Sequence, residues 1–172
     1  MDLDKMTALN PASVAYVFLH TEGSPDGSHG TAAGINRYHR EGRGWNGIGY
    51  HRVILRDGTV QEGRPLTKMG AGVEGINARS VHVCCTGNGD LHPLTPAQEA
   101  AAVEQLAMLA TRFRVPAEFV LGHREINRLV EMGKAPKTTH KLCPGVRVDM
   151  RRIRQLVAAR ISAGAVAPLP VR

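Results

Sequence analysis

The chain has 172 residues, 42% of them hydrophobic, and 22 Lys and Arg residues against 15 Asp and Glu residues give a formal net charge of +7. This length suits one domain with a hydrophobic core and is too short for two. No run approaches the roughly 18 apolar residues that span a bilayer, and the start MDLDKMTALN lacks the order of a signal peptide. We therefore expect no transmembrane segment and a cytoplasmic location on synthesis.

The positive charge favours an anionic partner, and nucleic acid and the bacterial cell wall both qualify. Basic residues are scattered outside 147–160, and three Phe, three Tyr and one Trp are too few to support a stacking surface for single strands. No specific nucleic-acid partner is expected, and a solvated basic face explains the charge about as well. Three cysteines, two of them adjacent, cannot form a disulfide framework, which leaves Cys143 free for another role.

The first half of the chain predicts two strands, a helix and a hairpin. Residues 13–20 (SVAYVFLH) form an apolar, β-branched run that ends at His20, and a helix is predicted from Thr31 to about Glu41. The next strand, 49–55 (GYHRVIL), turns at Asp57-Gly58 into a hairpin. Its alternation predicts one face with Tyr50, Arg52 and Ile54 and another with His51, Val53 and Leu55. Residues 63–79 are rich in Gly and are interpreted as an ordered loop that would wall a groove.

The second half predicts a strand at 80–86, a long helix that begins at the capping box Thr95-Pro-Ala-Gln98, and a short strand, 118–121, that leads into His123. Asp149 is expected to cap a last helix. The buried faces of these two helices are predicted to carry Val103, Leu106, Ala110 and Phe113, and Met150, Ile153, Leu156 and Val157.

Strands with intervening helices predict an α/β fold, a single mixed central β-sheet flanked by helices. We expect one domain, 1–163, and a flexible C-terminal tail, 164–172. His20 and His123 would both lie at strand ends. Side chains from separate strand ends can converge at one rim of such a sheet.

The histidines divide by their surroundings. His29, His39 and His92 lie in polar segments expected to be exposed, whereas His51 and His82 lie on strands and are expected to be packed and hydrogen-bonded. A strand-end histidine such as His20 or His123 is by itself more often a hydrogen-bonding residue than a metal ligand. Cys84-Cys85 could bind a metal, but their apolar strand favours buried, inert thiols.

The stretch His140-Lys-Leu-Cys-Pro-Gly145 suggests the end of a metal site. Pro-Gly fixes the turn after Cys143, and Lys141 lies two residues before it. One thiolate and two imidazoles would supply the three protein ligands of a catalytic zinc site, with the fourth position open.

Seven blocks in order resemble a known family: FLHT at 18–21, GWNGIGYHRVILRDGTVQEGRP at 44–65, N-x-x-S at 77–80, TGNGD, TPAQ, GHREI at 122–126 and KLCPG at 141–145. The chain resembles the zinc-dependent N-acetylmuramoyl-L-alanine amidases, which include bacteriophage lysozyme-type amidases and animal peptidoglycan-recognition proteins. The resemblance covers about 16–157. It is closest to the phage type (endolysins), in which a Lys stands two residues before the last ligand.

The resemblance implies one Zn²⁺ with His20, His123 and Cys143 as ligands, and Tyr50 and Lys141 as catalytic residues. Lys141 would stabilise the oxyanion, and the role of Tyr50 stays open. By their positions in the matching blocks, the substrate-binding residues would be Thr21, Trp45, Arg64 and Asn77. The implied reaction is hydrolysis of the amide bond between N-acetylmuramic acid and L-alanine in peptidoglycan. The enzyme would be a monomeric phage or prophage endolysin that reaches the wall after membrane release or through a holin-type pore.

Two departures concern specificity more than chemistry. The family's usual Gly-x-His in the central loop is Gly70-Ala-Gly72 here, which predicts loss of a polar contact. The segment between His123 and Cys143 is long and is expected to form a flexible, basic rim. The main alternative is a peptidoglycan-binding module without activity. Such family members usually lack the Cys ligand, so the presence of Cys143 favours the enzyme. A basic nucleic-acid-binding protein is a third hypothesis that rests on charge alone.

Overall fold

The computed structural model describes residues 1–24 and 30–164. His29 and nearly all of the predicted tail lie outside these ranges. The described chain contains five strands: β1 (Tyr16–Thr21), β2 (Arg52–Ile54), β3 (Val60–Glu62), β4 (Ser80–Cys85) and β5 (Val120–Gly122). Its α-helices are α1 (Ala32–Arg37), α2 (Pro96–Phe113), α3 (Ile126–Glu131) and α4 (Met150–Ser162). A π-helical turn, Tyr38–Gly42, continues α1, and 3-10 turns precede β4 and β5 and follow β5.

The strands form one mixed sheet in the order β3-β2-β4-β1-β5, which confirms the predicted α/β architecture. Strand β1 pairs in parallel with both β4 and β5, and β2 pairs in parallel with β4. The antiparallel pair β2–β3 is the predicted hairpin, closed by the Leu55 amide donating to the Thr59 carbonyl at 2.9 Å. Gly58 in this turn has φ of 89°, which a residue with a side chain rarely adopts.

Helices α2 and α4 cover one face of the sheet and bury the larger core. The capping box of Thr95 and Gln98 begins α2, and Asp149 caps α4, both as predicted. The buried face of α2 differs from the predicted one: Val103 and Phe113 are only partly buried. The α2 residues that are fully buried in the core are Ala102, Leu106, Ala107, Leu109 and Ala110.

The basic residues of α4 are largely neutralised by neighbouring carboxylates. Arg152 pairs with Glu99 at 2.8 Å and Arg160 with Glu104 at 2.6 Å, which joins α4 to α2. Such partly exposed pairs add little stability each, but they leave less free charge for an anionic partner. No helix within the described ranges is long and apolar enough to cross a membrane.

The other face of the sheet carries the histidines. His51 and His82 are fully buried and hydrogen-bonded, as predicted. The prediction that His39 is exposed is wrong: only 6% of it is exposed, and its Nδ1 accepts the Gly49 amide at 3.1 Å. The π-helical turn around His39 changes the angular spacing of side chains, which a regular helix pattern does not anticipate.

Tyr50 also lies on a different face of the sheet from the one that the alternating pattern predicts. It packs beside Val53 and Cys84, on the face opposite to Ile54, which belongs to the larger core. Regular strand begins only at Arg52, so the period of two does not extend back to Tyr50.

Candidate metal centre

Two parallel strands bring His20 and His123 together. In the β1–β5 pair, Leu19 lies opposite Gly122, so the residues that follow them, His20 and His123, emerge side by side. Their ring centroids are 5.1 Å apart and their planes meet at 78°. Both side chains are buried, with His20 only 1% exposed. The predicted convergence at one rim of the sheet is therefore present.

The turn that carries Cys143 is fixed against the turn that carries His123. The backbone amide of Arg124 donates to the Cys143 carbonyl at 2.8 Å, and the Arg124 guanidinium donates to the carbonyls of Leu142, Gly145 and Val148. Sequence reasoning missed Arg124, although it stands beside His123 in the GHREI block. A guanidinium that crosslinks three carbonyls of one turn holds the thiol in a defined position.

Two glycines, Gly145 and Gly89, allow this turn to approach the loop that follows β4. A Cβ on Gly145 would lie 2.0 Å from the carbonyl carbon of Gly89, and Gly145 has φ of 107°. Any side chain at Gly145 would therefore push the Cys143 turn outward. The CPG block at 143–145 and the TGNGD block at 86–90 therefore pack directly against each other.

The three predicted ligand atoms form a compact set. A histidine nitrogen from each of His20 and His123 and the Cys143 sulfur all lie within 4.8 Å of one another. His20 Nδ1 is 3.6 Å from Cys143 Sγ, and a tetrahedral zinc site with ordinary bond lengths has a nitrogen–sulfur edge of about 3.5 Å. Two imidazoles and one thiol are a donor set that zinc accepts, so these residues fit the ion that the resemblance implies.

Burial favours the metal-binding protonation state of the two imidazoles but not that of the thiol. It lowers the pKa of His123 to about 4 and that of His20 well below its usual value, so both rings are neutral near pH 7. Burial raises the pKa of Cys143 to about 11, which keeps the thiol protonated until a cation displaces the proton.

A second layer of side chains lies behind His20. Its Nε2 is 3.2 Å from Nδ1 of His82, and Nε2 of His82 is 3.2 Å from the Ser80 hydroxyl. Sequence reasoning treated His82 only as a packed residue. Its position could have indicated a role beyond packing, because it is a histidine on a strand of otherwise apolar and small residues.

A groove of about 1090 Å³ is lined by two of the three candidate ligands, His123 and Cys143. Both predicted catalytic residues line it: Tyr50, whose ring is 5.1 Å from that of His20, and the exposed Lys141. Burial raises the pKa of Tyr50 well above its usual value, so its hydroxyl keeps its proton. Lys137 and Glu74, joined by an ion pair of 2.8 Å, also line the groove.

Three of the four predicted substrate residues line this groove, and two of these also have internal partners. Thr21 donates to the Pro144 carbonyl at 3.0 Å, and Asn77 accepts the amides of Gly72 and Val73. Trp45 lies on the wall beneath the Arg43 guanidinium, 5.6 Å from the ring centroid.

Arg64 lies behind the groove wall and does not line the groove. Only 6% of it is exposed, and its guanidinium donates to the carbonyls of Ile48, Gly47 and Met69. These three bonds use one donor on each of the three nitrogens, three of the five N–H donors, so Arg64 joins the backbone at 47–48 to that at 69.

The segment after His123 contains ordered structure. Helix α3 occupies its first part, and the Asn127 side chain exchanges two hydrogen bonds with the backbone of Thr139. Its last part places Lys137, His140 and Lys141 along the groove, which agrees with a basic rim.

Two histidines and one cysteine at the rim of an α/β sheet, beside a groove, make a candidate metal site. The family model described as N-acetylmuramoyl-L-alanine amidase matches residues 10–146, and the chain belongs to this family. Peptidoglycan-recognition protein SC2 of Drosophila melanogaster is 37% identical over 93 residues, which are 54% of this chain and 50% of that protein.

The endolysin of Klebsiella phage KP32 is 40% identical over 84 residues, 46% of this chain and 55% of that protein. The chain thus spans about half the length of the curated relatives it matches. Among solved structures, N-acetylmuramoyl-L-alanine amidase LysC from Clostridium intestinale has a TM-score of 0.71 at 24% identity, over 87% of this chain and 89% of that one. This likeness confirms the fold.

Proposed function

We propose that this chain is a zinc-dependent peptidoglycan hydrolase that cleaves the amide bond between N-acetylmuramic acid and L-alanine. The observation that carries the proposal is the complete ligand set of His20, His123 and Cys143, whose ligand atoms lie within 4.8 Å of one another; His123 and Cys143 of this set line the groove. The shared family with N-acetylmuramoyl-L-alanine amidases supports this bond as the target.

Zinc bound by these three residues would supply Lewis acidity and a hydroxide nucleophile at neutral pH. Lys141 lines the groove two residues from Cys143, so its ammonium can stabilise the negative charge that develops on the amide oxygen. The Tyr50 hydroxyl keeps its proton because burial raises its pKa, so it serves as a hydrogen-bond donor rather than a base.

The biological setting belongs to the same proposal. Phage endolysins among the relatives support a phage or prophage endolysin. Such a monomeric enzyme would collect in the cytoplasm and reach the wall after membrane release or through a holin-type pore. The net charge of +7 would then favour its adsorption to an anionic wall.

The alternative is a peptidoglycan-binding module without activity, since peptidoglycan-recognition proteins are also relatives. Such a module has no need of a complete ligand set. The 3.6 Å separation between Cys143 Sγ and His20 Nδ1 favours the enzyme.

The test uses purified cell walls and protein that is first stripped by a chelator and then restored with zinc. New amino-terminal L-alanine is measured by labelling free amino groups. We expect these termini only with zinc present. Binding to the wall without new termini in the zinc-restored protein would reject the enzyme in favour of the binding module.

Two variants separate the metal from the chemistry. Cys143→Ser should lose zinc and activity together, because an alcohol does not replace a thiolate ligand. Lys141→Ala should keep zinc but lose roughly 10²-fold to 10³-fold in rate, the usual cost of an oxyanion donor. Equal activity of both variants with the wild type would remove these roles.

A further inference from the structure

The two ring nitrogens of His20 face different partners. Nδ1 lies 3.6 Å from Cys143 Sγ, on the side of the candidate metal centre, and Nε2 lies 3.2 Å from His82 Nδ1, in the protein interior. A neutral imidazole carries one proton. For Nδ1 to bind a cation, that proton must be on Nε2, and Nε2 then needs an acceptor.

A chain of hydrogen bonds decides which atom is that acceptor. It ends at the Ile76 carbonyl, which can only accept, so the Ser80 hydroxyl donates to it at 2.9 Å. The Ser80 oxygen then accepts from Nε2–H of His82 at 3.2 Å, which leaves Nδ1 of His82 with a lone pair. That lone pair accepts the Nε2–H of His20, so the carbonyl fixes the direction of every bond up to His20.

The His82 ring cannot turn away from this arrangement. It stacks between Phe18 and His51, with centroids 5.9 Å and 5.7 Å away and planes inclined by only 28° and 14°. The ring occupies space above two loop glycines. A Cβ would come within 2.6 Å of its Nδ1 if placed on Gly72, and within 2.4 Å of its Cδ2 if placed on Gly70.

We propose that His82 is a positioning residue that fixes the tautomer and orientation of His20, so that His20 presents Nδ1 to the metal. The inference rests on the proposed zinc centre. It also accounts for Gly72: the loop residue must lack a side chain because an imidazole from β4 fills that space.

The test compares two variants of nearly equal shape. His82→Asn places an amide oxygen near the position of Nδ1 and keeps an acceptor for His20, whereas His82→Leu removes it. Zinc affinity is measured by competition with a chromophoric chelator, and the cobalt-substituted proteins are compared by visible absorption, which reports ligand geometry. Thermal unfolding of the zinc-free proteins controls for folding.

We expect His82→Leu to lose 10-fold to 100-fold in zinc affinity, the usual effect of removing the partner of a ligand histidine. His82→Asn should keep most of the affinity and the cobalt spectrum. Wild-type affinity and spectrum in His82→Leu would overturn the proposal. An equal loss in two variants that unfold at the same temperature would also overturn it, because the acceptor would then be irrelevant.

A measurement on the unaltered protein keeps the proposal testable if the variants fail to fold. Nitrogen-15 NMR of the zinc-free wild type should show His20 protonated at Nε2, and protonation at Nδ1 would overturn the proposal.

These measurements need no peptidoglycan. A wild type that binds zinc but releases no L-alanine termini would reject the proposed function alone. An active wild type with unchanged zinc binding in His82→Leu would reject this inference alone.

Discussion

Thr21 donates a hydrogen bond through its hydroxyl to the Pro144 carbonyl at 3.0 Å, and this bond joins the strand that carries His20 to the turn that carries Cys143. The two residues are 123 positions apart. Thr21 lines the groove, as a substrate residue should, but its hydroxyl proton already has an acceptor inside the protein. Its first effect is therefore on the separation of two candidate ligands.

Replacement of Thr21 by Val keeps the shape and removes this donor. One internal hydrogen bond contributes about 1 kcal/mol, so Thr21→Val should weaken zinc binding roughly fivefold. Chelator competition measures the change, and Thr21→Ser, which keeps the hydroxyl, is the matched control. If Thr21→Val and Thr21→Ser bind zinc equally well, the hydrogen bond from Thr21 to Pro144 does not hold the ligands in place.

Arg64 should matter for stability rather than for substrate binding. Arg64→Lys cannot reproduce the planar fork that serves three backbone carbonyls, and we expect a loss of roughly 2–3 kcal/mol in the free energy of unfolding by urea. Affinity of the folded variant for a muramyl peptide should stay at the wild-type level. Normal stability with weakened binding would place Arg64 in the groove after all.

At pH 6, below the pKa of about 7 of a zinc-bound water, zinc binding should release about one proton. The proton comes from Cys143, whose pKa is raised to about 11, because burial lowers the pKa of both His20 and His123 and leaves their rings already neutral. Zinc affinity should therefore rise about tenfold per pH unit. Calorimetry in two buffers with different ionisation enthalpies counts the protons, and a release near zero or near two would contradict this assignment.

Acid should destabilise the metal-free protein through its buried histidines. For His51, burial lowers the pKa to about 4, below the ordinary value near 6.5 that applies when the chain unfolds. Between these values the unfolded state binds the additional proton, so stability is lost as the pH falls from 6.5 to 4, by up to about 3 kcal/mol from His51.

Urea unfolding at several pH values measures this loss. His51→Asn keeps an acceptor near the position of Nδ1 for the His82 amide but removes the titrating group. As the pH falls, the free energy of unfolding of His51→Asn should decrease less steeply than that of the wild type. The difference in slope should correspond to the uptake of about one proton. Identical slopes would show that His51 does not contribute.

The sequence was sufficient for the sheet, the hairpin, both long helices and the positions of three candidate ligands. Apolar runs and capping residues act locally, and the motif blocks identify which strand ends matter. The bonds from Arg124 to Val148 and from His20 to His82 connect residues whose separation no period reveals. His39 and Tyr50 were misplaced because the backbone leaves regular geometry next to them.

The order of the ligands along the chain has a consequence during synthesis. His20 lies on the first strand, His123 follows the last strand, and Cys143 comes 20 positions later, so the set is incomplete until most of the described chain has left the ribosome. A nascent or prematurely terminated chain that ends before Cys143 lacks the thiolate and also lacks helix α4, which buries part of the larger core. Translation itself therefore delays the appearance of a complete centre in the cell that makes it.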